Sequence, residues 1–298
     1  LGFQLTGNYI TIEDCQFTSN GVTSTTGQGG AIYISESQSN KVYTIRNCIF
    51  NNNNGPKGAA IYVSNANAEL IIESCTFIDN GLIGQSQIYT NTPKFSFHNN
   101  TVQYDSKTPI TGTIEYSITV IGTNNAVNVS DCQFIFNPQV EGNGGFLSVQ
   151  GQCSSINLNN LLFEGGYNFA AMLLNLPLYA FSSENVTFSN QKYNNFLYSI
   201  HLASAVNTPI TLTNWSFLHC QSTENSIFAN ITSGSIEFNS CRWENNLKSD
   251  GNGGGMTILP DNAVQEYIYN RCHFENNTAP HHGGGMYVDI SSQLTISD

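Results

Sequence analysis

A chain of 298 residues with 9 Lys and Arg against 21 Asp and Glu carries a formal net charge of −12, and only 10% of its residues are charged. That balance excludes nucleic-acid binding through a basic patch, and no run reaches the roughly 18 apolar residues that cross a bilayer as a helix. With 18 Phe, 14 Tyr and 40% hydrophobic residues the chain has ample apolar surface for a core, while 40 Asn give it a polar surface with little charge and a bias towards turns and strands.

The first predicted elements are a strand over Tyr9-Ile10-Thr11-Ile12-Glu13, a short strand carrying Cys15 and Phe17 after a two-residue break, and a third over Ala31-Ile32-Tyr33-Ile34 behind Gly29-Gly30. In each, apolar residues alternate with polar ones at period two. The phrase returns as Tyr43-Thr44-Ile45-Arg46-Asn47-Cys48-Ile49-Phe50 with Gly58-Ala59-Ala60-Ile61-Tyr62-Val63, and again as Leu70-Ile71-Ile72-Glu73-Ser74-Cys75-Thr76-Phe77. Through the middle it degenerates but keeps step, with Asn100, Cys132, Leu161, Val186 and Trp215 standing where Cys stands elsewhere. It is restored around Cys241, with Gly253-Gly254-Gly255-Met256, and around Cys272, with Gly283-Gly284-Gly285-Met286.

Successive anchors are 25 to 33 residues apart, and the variation falls in Asn-, Gly- and Ser-rich stretches. No segment has a sustained helical period, so parallel strands must pair directly with those of the unit above and below. The expected fold is a single all-β solenoid domain over residues 1–298, of about ten coils with three strands each. Leu294-Thr295-Ile296-Ser297-Asp298 matches the first half of the motif and stops where a Cys is due, so the chain is expected to be part of a longer repeat array.

Gly29-Gly30-Ala31-Ile32, together with Phe-x-x-Asn at Phe17–Asn20, Phe50–Asn53, Phe77–Asn80, Phe134–Asn137 and Phe274–Asn277, resembles the paired repeats of the polymorphic outer-membrane protein family. That resemblance implies a right-handed parallel β-helix of the pectate-lyase-like superfamily and a role as a surface adhesin. The Asn-, Gln-, Tyr- and Ile-rich composition also resembles that of large secreted surface proteins of protists.

The repeated residues have structural readings. Paired glycines suit left-handed corners and close approach of coils, and the Phe-x-x-Asn asparagines suit a ladder of side-chain amides passed from coil to coil. Cys15, Cys48, Cys75, Cys132, Cys241 and Cys272 share one inward position, where stacking at about 4.8 Å permits either a ladder of buried thiols or inter-coil disulfides. Six sequons mark Asn99, Asn128, Asn185, Asn214, Asn230 and Asn276 as N-glycosylation candidates. Asn99, Asn185 and Asn214 stand at the corner before a non-Cys anchor, which predicts a line of glycans along one solvent-facing edge and a secreted chain.

Enzymes on β-helices need carboxylates, or an acid with Arg or Lys, converging on one face. Here Glu13 and Glu73 flank Arg46 as a charge stripe, Asp14 and Asp131 belong to distant coils, and no nucleophile motif occurs. His281-His282, with His273 and Asp250, is the nearest approach to a metal-binding group, and it is read as a set of solvated loop residues; His201 and His219 stand alone. No enzyme activity, catalytic residue, metal or cofactor is expected. The expected function is a structural or adhesive module of an extracellular or cell-surface protein. Its partners would be other segments of the same protein, other surface proteins or carbohydrate, without membrane insertion by this segment. The alternative is a carbohydrate-binding or carbohydrate-cleaving β-helix. Substitutions such as Phe17→Asp are expected to destabilise, and changes near Asn51 to Asn54 to be nearly silent.

Overall fold

The computed structural model describes residues 8–35, 39–81, 86–105, 116–122, 125–141, 145–151, 153–167, 170–175, 181–193, 200–203, 210–223, 230–231, 234–258, 264–289 and 293–298. Strands β1 (Tyr9–Glu13), β2 (Gln16–Thr18) and β3 (Ile32–Ser35) make the first coil, and β4 (Lys41–Arg46), β5 (Ile49–Asn51) and β6 (Ile61–Ser64) the second. Each pairs in parallel with its counterpart, in the register Ile12↔Ile45, Phe17↔Phe50 and Ile34↔Val63. Repeated, this pairing gives an all-β parallel solenoid with three faces and, among the described residues, no helix.

The first two faces merge into one 21-stranded sheet, because several coils run from one to the other without leaving their pairing. The third face is an unbroken sheet of eight strands from Ile32–Ser35 to Asn230–Ile231, after which Met256–Ile258 and Met286–Val288 form a separate pair. Eight rungs on the closing face correspond to about seven turns, not the ten coils expected.

The first corner is made by a single residue. Asp14, Asn47, Ser74, Asn99, Asp131, Asn160, Asn185, Asn214, Ser240 and Arg271 all have φ between 51° and 57°. Among residues with a Cβ, Asn and Asp reach this left-handed region most readily, and they fill seven of these ten corners. One such residue reverses the strand's alternation, so the next side chain, the anchor, turns inward. The glycine pairs divide their work: Gly29 has φ +67°, while a Cβ on Gly30 would lie 2.2 Å from the Ala59 carbonyl oxygen. The first glycine serves the turn and the second the approach of the next coil.

Inside, one aromatic column runs the length of the solenoid. Phe17, Phe50 and Phe77 stack with centroids 4.9 Å apart and planes within 5°. The column resumes as Phe134, Phe163, Phe188, Phe217, Trp243 and Phe274, at 4.5 to 5.6 Å. At the one coil where Val102 occupies the column, Phe97 from the first face leans in and bridges Phe77 and Phe134 at 6.0 and 6.2 Å. Packing of parallel rings at about one coil spacing stabilises through area burial plus roughly 0.5–1.5 kcal/mol per pair.

The expectation of silent changes near Asn51 to Asn54 does not hold, because Asn53 is 1% exposed. Its amide donates to the Phe17 carbonyl at 2.9 Å and to Asn80 Oδ1 at 2.8 Å, so it belongs to the interior.

Candidate functional site

The six anchor cysteines occupy one column: Cys48, Cys75, Cys132 and Cys241 are buried, Cys272 is half-buried and Cys15 is exposed. All eight cysteines are free thiols, which removes the inter-coil disulfide and leaves the thiol ladder. The thiols meet backbone carbonyls, and within the column Cys48 also meets Cys75 and Cys241 meets Cys272 as hydrogen-bonded neighbours. Cys48 Sγ donates to Arg46 O at 3.1 Å, Cys75 Sγ to Glu73 O at 3.3 Å and Cys132 Sγ to Ser130 O at 2.9 Å. Asn100 fills the same slot, donating through Nδ2 to Ile72 O at 2.9 Å and accepting the Cys75 N–H at 2.7 Å. Cys and Asn are therefore interchangeable at this corner, since each combines a donor and an acceptor in a small side chain. Burial pushes the thiols of Cys132 and Cys220 up to about 12 and that of Cys153 up to about 11. Such thiols are poor nucleophiles.

The asparagine ladder forms at the second corner. Asn20 donates to Asn53 Oδ1 at 3.0 Å, Asn53 to Asn80 Oδ1, and Asn80 to Gln87 Oε1 at 3.1 Å. Near the other end Asn246 donates to Asn277 Oδ1 at 3.0 Å. Cys220 stands in this column, three residues after Phe217, and its N–H donates to Asn246 Oδ1 at 2.9 Å.

A second amide ladder, absent from the sequence reading, lies outside on the first corner. Asn214 donates to Asn185 Oδ1 at 3.1 Å, Asn185 to Asn160 Oδ1 at 3.0 Å and Asn160 to Asp131 Oδ1 at 2.8 Å. Sequon residues Asn99, Asn185 and Asn214 are exposed at this corner; Asn128 is exposed within a strand, and Asn276 is exposed at the second corner with φ 52°. The side chain of Asn230 lies outside the described residues.

The charged groups form local sets. Glu13, Arg46 and Glu73 stack in register, with Arg46 and Glu13 2.7 Å apart and partly exposed, which contributes little. His98 Nδ1 lies 2.9 Å from Ser130 Oγ and 3.1 Å from Asp131 Oδ2. Both oxygens meet the same ring nitrogen, so this trio lacks the relay geometry of a hydrolase, in which acid and nucleophile face opposite nitrogens. His281 and His282 are exposed, with the His282 N–H donating to Asn252 Oδ1 at 3.1 Å. His273 is not grouped with them but sits between Glu244 and Glu275 on the second face. His201's side chain lies outside the described residues, and His219 takes the left-handed conformation at the second corner.

Two surfaces could meet a ligand. Tyr33, Tyr62 and Tyr89 stack outside the third face with centroids 5.4 and 5.5 Å apart, and Lys57 lies 5.2 Å over the Tyr89 ring. Stacked as coins, these rings cover one another's faces, so the column serves cohesion more than it offers a platform for a sugar ring. The other surface is a groove of about 630 Å³ along the second corner, lined by Asn137, Glu164, Asn190, Lys192, His219 and Gln221 among others. It opens where the corner changes. Most coils have a left-handed residue two places after the column aromatic, from Ser19, Asn52 and Asp79 to Asn190, His219, Asn245 and Asn276. Tyr104 and Phe136 hold that place without positive φ and are buried, meeting Phe146 and one another in the core. Compared with protein-family models, curated proteins and solved structures, the chain matches none.

Proposed function

We propose that this chain is a structural or adhesive module of a secreted or cell-surface protein, a solenoid that presents a polar, N-glycosylated surface. The observation that carries the reading is the placement of the sequons: Asn99, Asn128, Asn185, Asn214 and Asn276 all have exposed side chains, three of them along one corner. The rest of the polar inventory supports it, because buried Asn groups spend their bonds on the next coil and the buried thiols on carbonyls of their own corner, not on a convergent site. Kinship with the polymorphic outer-membrane protein repeats rests on the Gly-Gly-Ala-Ile and Phe-x-x-Asn motifs, and the parallel solenoid is consistent with it. Partners would be other segments of the same protein or other surface proteins. Expression through a eukaryotic secretory pathway followed by glycopeptide mapping tests the reading. Glycans on the first-corner sequons are expected, and bare asparagines throughout would remove secretion from it.

The groove favours a second reading, a carbohydrate-binding face. Its amides and mixed charges, Asn137, Gln221, Glu164 and Lys192, offer donors and acceptors spread over several coils. Binding of neutral oligosaccharides that weakens in Lys192→Ala and His219→Ala together would establish it, whereas a blank glycan screen would leave the structural role alone.

A further inference from the structure

We propose that Glu244, His273 and Glu275 form a binding site for a divalent first-row transition-metal ion, with zinc as the ion to test. The three residues come from neighbouring strands of the second face, Arg242–Glu244 and His273–Glu275, paired in the register Arg242↔His273, Trp243↔Phe274 and Glu244↔Glu275. Residues two apart on a strand point the same way, so all three side chains project outward from one small patch of paired backbone. The patch is rigid, because Trp243 and Phe274 between the ligands stack on the inner side at 4.5 Å with planes 3° apart.

The spacing suits a metal. His273 Nε2 lies 3.0 Å from Glu275 Oε2 and 3.7 Å from Glu244 Oε1, and the three ligand atoms fall within 4.8 Å of one another. Two donors about 2.0–2.1 Å from a tetrahedral zinc ion stand about 3.3 Å apart, midway between the two observed separations. A neutral imidazole carries at most one proton on Nε2, yet two carboxylate oxygens face that nitrogen. A cation placed among them bridges all three, taking at Glu244 Oε1 the place of the Arg242 guanidinium. One imidazole with two carboxylates is a donor set for zinc and its neighbours in the row, and it leaves the fourth position open to water or to a donor from another molecule.

Arg242 is the competitor: its guanidinium pairs with Glu244, the least exposed of the three, with 14% of its side chain open to solvent. Metal binding therefore displaces two guanidinium hydrogen bonds, from Nε and Nη2 to Glu244 Oε1, which keeps the affinity modest and gives the site a distinctive response to mutation. In a chain of net charge −12 the added positive charge is welcome.

The test is calorimetric titration of the intact 298-residue chain with zinc chloride near neutral pH, with circular dichroism to confirm that each variant folds. One ion per chain is expected, with affinity falling roughly tenfold or more in His273→Ala and in Glu275→Gln. Arg242→Ala should bind more tightly than the parent, a change no merely structural ion pair produces. The double variant His281→Ala with His282→Ala should bind as the parent does. Absence of zinc uptake, or uptake that survives His273→Ala, overturns the proposal; uptake lost only in the His281 and His282 variant moves it elsewhere and overturns it equally.

Discussion

The outer coils and the middle coils solve the same corner in two chemistries. Around Cys15, Cys48 and Cys75, and again at Cys241 and Cys272, the anchor is a thiol that donates to carbonyls of its own and the preceding coil. In the middle Asn100 and Cys132 still bond to carbonyls, and the anchors that follow, Leu161, Val186 and Trp215, fill space instead. The φ of the residue before them is the same, near 50–57° throughout. The left-handed residue thus makes the corner, and the anchor only has to be compatible with the interior it enters. Trp215 shows the exchange directly: its ring packs on Phe188 and Phe217, and its indole N–H finds Ser183 Oγ at 3.0 Å. Where the inward thiol or amide is missing, apolar volume takes its place.

Four experiments sharpen that contrast. The largest effect is expected from an acid in the aromatic column. Phe163→Asp should cost upwards of about 4 kcal/mol and abolish folding, since it buries an unpaired charge between two ring neighbours. Phe17→Asp, at the half-open first coil and 7% exposed, should cost measurably less in urea unfolding; equal losses would mean that the two regions do not differ in enclosure. Next, Trp215→Ala should lose about 3–5 kcal/mol through cavity formation, whereas Cys241→Ala, removing only a thiol from the same column, should lose about 1–2 kcal/mol. Comparable values would show that the thiol ladder matters more than its geometry suggests.

The interior and exterior amide ladders should differ more sharply still. Asn53→Ala removes the acceptor of both Asn20 donors and one donor to the Phe17 carbonyl, at about 2–4 kcal/mol. Asn160→Gly keeps the left-handed corner and removes an exposed amide, so thermal unfolding should shift by no more than about 0.5 kcal/mol in stability. The last effect is alkaline. Cys132 and Cys220 ionise near 9 when unfolded but only at about 12 when buried. Above pH 9 the unfolded chain has therefore lost protons that the native one retains, and stability falls as pH climbs from 9 towards 12. The loss should be about 1 kcal/mol per thiol by about pH 10, and Cys132→Ala with Cys220→Ala should remove their share of it while leaving the share of Cys153, which burial raises to about 11. A stability curve level from pH 9 to 11 in the parent would contradict their burial.

Much of this architecture can be read from spacing. The period-two runs, the anchor positions and the Phe-x-x-Asn ladder follow from the sequence because each repeats a local pattern whose physical reason is local: alternation, a left-handed corner, a small donor-acceptor side chain. The anchor pairings Cys132↔Leu161 and Leu161↔Val186 appear as read, although three different residues stand there. What escaped were features made by juxtaposition across coils. Cys220 stands in the asparagine column, but nothing in the sequence marks it as a substitute for Asn until its N–H is seen to meet Asn246. The His98, Asp131 and Asn160 contacts join residues about one coil apart whose side chains are individually unremarkable. Glu244, His273 and Glu275 fall on two different repeats, and His273 was grouped by sequence proximity with His281 and His282 when its actual neighbours are 29 residues back and two residues on.

By itself the sequence determined the kind of object this is, an all-β stack of parallel coils with a polar, anionic surface, because hydrophobic period and corner residues act within a few positions. Only the tertiary structure decided the number of closed turns, the free state of the thiols, the leaning of Phe97 into the gap at Val102 and the groove beside Phe136. Those depend on which side chain lies about 5 Å away on the next coil and which way its Cβ points, and a one-dimensional spacing carries the first of these facts but not the second.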